Sequence, residues 1–364
     1  MRVLQCQLFR YELPFKAPFH YGNQVLTERQ GFVLRVTADN GRIGWGEAAP
    51  LPGFRTETYD QAGDTLRLLV PAVNSTRDFG NAASIRSFCD TLVPLDRPAA
   101  RSALSTALFD ALCDRELLAR KLEPRTNGTI SINATTSGSD GQLEDWARDR
   151  VRDGFRVLKI KVGLRDWVEE RSWLGLLLNR VRAPGLQLRL DANGAWSRDE
   201  ARRALDSLMG WPIECVEQPV AAHDIDGLID VARRSPVPVA ADEALTETEG
   251  AWDALVRRGT VQAVVIKPMV FGGPDIALER ARQARMAGVK LIVTTSLDAA
   301  VGRRMAMHVA AAIDPSAITA HGLATASFLA EDIAEPDPVA GPRIILEKRP
   351  GLGAQIDPSR LVPA

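Results

Sequence analysis

The chain has 364 residues, with 45 Lys+Arg against 46 Asp+Glu, a formal net charge of −1 and 45% hydrophobic residues. That balance excludes the polybasic surface that nucleic acid or an anionic membrane requires, and the composition is that of a soluble globular protein. Only seven of the basic residues are lysine (Lys16, Lys121, Lys159, Lys161, Lys267, Lys290 and Lys348), leaving 38 arginines, so each retained lysine raises the question of a group that must lose a proton.

The N-terminus, Met1 to Arg10, lacks the long apolar core of a signal peptide, and no apolar run approaches the ~18 residues of a membrane span. Gly31–Gly41 alternates and ends in Asn-Gly, and Arg42–Ala48 reads as the return strand of a hairpin. Two Pro/Gly-rich stretches with aromatic residues, Pro14–Gly22 and Ala49–Thr56, read as surface loops, and Ala99–Leu122 carries a helical apolar stripe. Four scattered cysteines without a C-x-x-C and only four histidines give neither a disulfide framework nor a zinc cage, which fits a reducing cytoplasm.

From Thr129 onward short β-rich runs recur: Thr129–Ala134, Val157–Val162, Leu186–Leu190, Cys215–Val216, Val237–Ala241, Val261–Ile266, Leu291–Thr295 and a weaker Thr319–Ala324. Helical stretches lie between them, among them Arg198–Met209, Ile225–Arg234, Thr248–Arg258 and Pro274–Ala287. Alternating strand and helix over about eight units predicts an α/β fold, a closed (β/α)8 barrel. A doubly wound sheet would show a Gly-rich phosphate turn after its first strand, and Ser131–Thr136 is not one. The tail from Ile344 to Ile356 reads as strand returning to the N-terminal part.

Polar residues stand where barrel strands stop. Asp191, Glu217 and Asp242 follow successive strands at separations of 26 and 25 residues, one βα unit each. Three carboxylates at one barrel mouth repel one another unless a cation joins them, and hard oxygen donors favour Mg2+, with Mn2+ as a substitute. Lys159 and Lys161 share one side of the strand before Asp191, and Lys267 closes the strand 25 residues after Asp242. A lysine serves as a base near neutrality only if its pKa falls from ~10.4 toward ~7–8, as burial and a neighbouring ammonium favour; arginine stays protonated.

Lys159-x-Lys161, Asp191-Ala-Asn193, Glu217-Gln-Pro219, Asp242-Glu243 and Lys267-Pro268 together resemble the enolase superfamily, in its muconate-lactonizing-enzyme subgroup. The resemblance implies a modified TIM-like barrel over residues 126–330 and an α+β capping domain over 1–125, with covering loops near 14–23 and 49–58. A C-terminal segment, 331–364, would complete the cap. It further implies one Mg2+ held by Asp191, Glu217 and Asp242, and proton abstraction beside a substrate carboxylate through a metal-bound enediolate.

Within the superfamily, a mandelate-racemase type needs a His–Asp pair on the late barrel strands, and Lys267 occupies the place of the Asp-bearing strand. Dipeptide epimerases usually carry Asp-x-Asp in the region that here reads His321-Gly-Leu-Ala-Thr325, and muconate cycloisomerases a Glu where Thr294–Asp298 stands. The runs Lys267–Gly273, Thr295–Arg303, His321–Thr325 and Ala49–Thr58, with Arg189 two residues before Asp191, look most like o-succinylbenzoate synthases. These dehydrate 2-succinyl-6-hydroxy-2,4-cyclohexadiene-1-carboxylate on the route to menaquinone. That resemblance implies Lys161 as base and then acid, Lys267 as an electrostatic or cation–π stabiliser, and Lys159 as pKa tuner and carboxylate contact. Arg189, Asn193 and Glu243 would support the metal ligands, and Phe19, Tyr21, Phe54, Arg55, Met269, Ser296, Asp298 and Gly322 would meet the substrate. His321 reads equally as a hydrogen-bonded core residue or a catalytic group. The alternative is an N-acylamino-acid racemase or dipeptide epimerase, and a remote one is a non-catalytic barrel that binds a ligand. A small-molecule carboxylate is the expected partner; oligomeric state is not legible.

Overall fold

The computed structural model describes residues 2–21, 24–74, 79, 81–112, 128–136, 143–314, 316–346 and 349–364. The N-terminal strands β1 (Val3–Tyr21), β2 (Gln24–Ala38) and β3 (Ile43–Ala48) form an antiparallel sheet. The Asn40-Gly41 turn joins β2 to β3, with Gly41 at φ 78° and the Asn40 side chain accepting from the Arg42 amide at 3.1 Å. Helices α1 (Tyr59–Val73) and α3 (Pro98–Leu112) cover this sheet, and α2 (Ala82–Leu92) packs on α3. The rest of the predicted helix to Leu122 lies outside the described residues.

Pro14–Tyr21, expected as a loop, instead extends β1: Phe19 pairs with Leu26 and Tyr21 with Gln24. The register is irregular between Pro14 and Phe19, and Pro18 sits in that irregular stretch, where its missing N–H breaks no ladder. A covering hairpin thus projects from the cap sheet, bridged to the barrel at Phe15–Leu329.

Strands β5 (Ala134–Thr135), β6 (Val157–Lys161), β7 (Gln187–Asp191), β8 (Ile213–Glu217), β9 (Val239–Ala241), β10 (Ala263–Ile266) and β11 (Lys290–Val293) follow one another in a parallel sheet. The expected eighth strand is reduced to single bridges, Thr294–Gly322 on one side and Ile132–His321 on the other, and these join the two sheet edges into a ring. The predicted first strand divides. Thr129–Ser131 (β4) pairs antiparallel with Arg343–Ile345 of the tail, while Ala134–Thr135 enters the barrel. The tail therefore first pairs with β4, then meets the cap at Leu352, whose amide donates to Asp110 of α3 at 2.6 Å, and ends beside β1 at Val362–Pro363. The predicted helix Thr248–Arg258 forms only over residues 251–257, because Gly250 at φ 76° closes a turn that separates it from the short helix Ala244–Glu247. Among the described residues no helix is long and apolar enough to cross a membrane.

Candidate active site

Parallel register brings the polar strand ends level. Lys161 lies opposite Asp191 and Asp191 opposite Glu217, so side chains far apart in sequence meet at one barrel mouth. The chain then leaves each strand by a tight reversal. Asn193 and Gln218 both adopt left-handed backbone, at φ 43° and φ 40°. Buried Gln218 binds three main-chain groups: its Oε1 accepts from the amides of Asp242 at 3.1 Å and Ala244 at 3.2 Å, and its Nε2 donates to the Val220 carbonyl at 2.9 Å.

The Lys159 ammonium bridges Asp191 Oδ2 at 3.0 Å and the carboxylate of Glu217. Lys161 donates to Asn193 Oδ1 at 2.8 Å, and Asn193 Nδ2 donates to Glu243 at 2.9 Å. Lys267 donates to both oxygens of Asp242 at 2.7 Å and lies 4.4 Å from the ring centroid of Phe54. Behind the ring the fully buried Arg189 donates to Glu214, Asn133 and the Ala320 carbonyl, with its Nε 3.7 Å from Glu217.

Burial opposes the charge of Lys159, yet the surrounding Asp191, Glu217 and Asp242 hold its pKa above the ordinary lysine value. Lys267 is raised in the same way, burial being outweighed by Asp242 and Glu243. Burial would also lift Asp191, but Lys159, Lys161 and Lys267 keep it below the usual carboxylate value. His321 accepts the Val293 amide on Nδ1 at 3.0 Å, and burial beside Arg189 and Lys290 pushes it down to about 3, so it is a neutral core residue.

Of the anticipated residues, Lys159, Lys161, Arg189, Asp191, Asn193, Glu217, Asp242, Glu243, Lys267, Phe19, Phe54 and Gly322 line one pocket of about 1510 Å3, open mouth included. Others lie elsewhere. Arg55 points outward to Glu247 at 3.4 Å, and Met269 is buried with its sulfur accepting the Ala49 amide at 3.2 Å. Ser296 and Asp298 are buried behind the end of β11, where Asp298 accepts the Ser296 amide at 3.1 Å. The Tyr21 side chain lies outside the described residues. The pocket also has walls that sequence reasoning missed, including Thr135, Thr294, Thr325, Leu297 and Phe328. Phe328 packs edge-on against Phe19 at 5.4 Å. Threonines at strand ends and an aromatic after a bridge carry no local signal of their own.

Among the described residues no three carboxylate, imidazole or thiol groups close on one point, and ammonium groups stand between the acids of this ring. The donor set nonetheless suits a hard divalent cation: three buried carboxylates on adjacent strand ends, already drawing cationic groups among them as stand-ins. One oxygen of Glu243 is buried without a hydrogen-bond partner beside them.

Residues 142–360 match the family described as Enolase C-terminal domain-like, and residues 2–85 match the MenC N-terminal domain. The L-Ala-D/L-Glu epimerase of Bacillus subtilis is 28% identical over 321 residues, 85% of each chain. The o-succinylbenzoate synthase of Klebsiella pneumoniae is 27% identical over 341 residues, 93% of this chain and 95% of its own. The dipeptide epimerase of Enterococcus faecalis, in a structure complexed with Mg and L-Leu-L-Tyr, superposes with a TM-score of 0.85 at 25% identity, covering 97% of this chain and 99% of that one. The chain belongs to the enolase superfamily, in its muconate-lactonizing-enzyme subgroup.

Proposed function

We propose that this chain is an o-succinylbenzoate synthase, dehydrating 2-succinyl-6-hydroxy-2,4-cyclohexadiene-1-carboxylate to o-succinylbenzoate. The observation that carries the reading is the unequal company of its two opposed lysines. Among the described residues Lys161 donates to a neutral amide oxygen, that of Asn193, while Lys267 lies beside Asp242 under the ring of Phe54, 4.4 Å from its centroid. One lysine on a neutral partner and one cation under an aromatic face suit a single-base elimination.

Asp191, Glu217 and Asp242 would hold Mg2+, which when bound supplies Lewis-acid stabilisation of charge developing on the substrate carboxylate. Lys161 takes the proton from the ring carbon that bears the carboxylate. The C–O bond on the neighbouring carbon then breaks, and the Lys161 ammonium returns that proton to the departing hydroxide on the same face, releasing water as the ring becomes aromatic. Lys267 remains an ammonium and stabilises the planar anion electrostatically. The succinyl tail runs along Phe19, Phe328 and the threonines.

The acids lining the pocket are Asp191, Glu217, Asp242 and Glu243, all at the ends of β7 to β9, and residues 321–325 bring none. A dipeptide's α-ammonium would have no carboxylate to meet there. The match to the MenC N-terminal domain and the Klebsiella relative also support the reading. A second reading, racemisation of N-acylamino acids, is favoured by one feature: Lys161 on β6 and the lysine after β10 stand four strands apart in the ring.

The test is turnover of the cyclohexadiene substrate with Mg2+, beside deuterium exchange at Cα across an N-acylamino-acid panel. Dehydration that stops on chelation is expected. Exchange without dehydration would replace this function with the racemase.

A further inference from the structure

Arg29 lies on β2, outside every motif of the active site, and is 3% exposed. Its guanidinium spends all five N–H groups on main-chain carbonyls. Nε donates to Leu297 at 3.1 Å, one terminal nitrogen to Gln30 at 3.2 Å and Pro50 at 2.8 Å, and the other to Ser296 at 3.2 Å and to Ala49. The acceptors belong to three segments: its own strand, the root of the covering loop, and the turn after β11. No carboxylate is among them, although its charge acts on the buried Asp298.

Both foreign segments shape the substrate chamber. Ala49 and Pro50 begin the loop that carries Phe54 over Lys267, and the Ala49 amide also binds Met269, two residues beyond Lys267. Leu297 lines the pocket in left-handed backbone at φ 61°. That strained conformation is costly for a branched side chain and is retained only where neighbours over-determine it. Arg29 supplies that determination.

We infer that Arg29 is a positioning residue, a five-point clamp that sets the distance between the covering loop and the β11 turn and so the shape of the chamber in which substrate binds. A lysine has three donors and a glutamine two, and neither has a planar fork, so both loosen the clamp in graded fashion.

The experiment compares wild type, Arg29→Lys and Arg29→Gln by steady-state kinetics and by amide hydrogen exchange. The kinetic arm rests on the proposed dehydration; the exchange arm does not. KM is expected to rise about tenfold in Arg29→Lys and further in Arg29→Gln, with kcat within about threefold, because the catalytic groups are untouched. Exchange in residues 49–56 and 295–299 is expected to quicken together, while the β7 amides keep their rate. An unchanged KM with kcat falling in step with the folded fraction, or quickening of one segment alone, overturns the clamp. If neither variant folds, wild-type exchange decides: one common opening rate for the two segments supports the clamp and separate rates overturn it. Wild type without dehydration would end the proposed reaction and leave the exchange result to judge Arg29.

Discussion

Lys161 reaches an amide oxygen at 2.8 Å, whereas Lys267 is held by two carboxylate oxygens at 2.7 Å beneath an aromatic face. If the first shuttles a proton and the second lends only charge, arginine should separate them. Lys161→Arg keeps the charge and loses the base, so turnover should drop by ~10^3, within the usual range for removing a general base. Lys267→Arg keeps a permanent cation and should lose roughly tenfold, less than Lys267→Met. Equal losses in the two arginine variants, measured as kcat for dehydration, would point to two bases and to racemisation. The placing of these lysines was legible because they recur on the strand beat, in a chain that otherwise writes positive charge as arginine. Arg29 was not legible: one arginine among 38, it acquires its partners only when β2 meets segments some 20 and 270 residues away.

At the scale of elements, α3 lies directly on β3. A Cβ at Gly46 would overlap the Ala103 carbonyl, and one at Gly44 the Ala107 carbonyl, so two glycines spaced by the strand period meet two alanines spaced by the helix period. Gly46→Ala pushes the helix off the sheet and should cost at least ~3 kcal/mol, the upper range of overpacking. Urea denaturation measures it, and a loss under ~1 kcal/mol would mean that the helix shifts freely. Elements with a strong local pattern were readable in the sequence, such as the Asn40-Gly41 hairpin and the β6–β10 beat. The covering hairpin was not, because its prolines mimic a loop and its pairing is decided by residues 24–28 across the turn. The ring's last member was overstated, since its strand is only two bridges held by Thr294 and Ile132.

For the molecule as a whole, buried carboxylates lie where cap, barrel and tail join. Asp110 on α3 accepts the amides of Trp45 at 2.8 Å on β3 and Leu352 at 2.6 Å in the tail, and burial pushes it up to about 7. Glu47 on β3 accepts the amides of Ala299 at 2.7 Å and Gly302 at 2.8 Å, which begin the helix Ala300–Ile313, and burial with the nearby Asp298 charge raises it to about 7. Burial raises Asp298 itself to about 6. In the unfolded chain such groups titrate near ~4. Between that value and the folded one the native state binds more protons than the unfolded state, so the unfolding free energy falls as pH rises. The contribution is fully present below pH ~4 and lost by about pH 7, on the order of 4 kcal/mol for Asp110 alone at ~1.36 kcal/mol per unit. Above pH ~5.5 ordinary carboxylates are already ionised, and buried His321, which works the other way only until the unfolded imidazole deprotonates near ~6.5, sets one proton against those of the three carboxylates. The urea midpoint should therefore decline from pH 5.5 to 7.5, and Asp110→Asn should flatten that decline by removing one linked proton, whatever its effect on absolute stability. A midpoint that rises over this interval, unaltered in slope by Asp110→Asn, would show that these carboxylates stay ionised in the fold, with their backbone amides outweighing burial at the joint between cap, barrel and tail and His321 alone setting the trend.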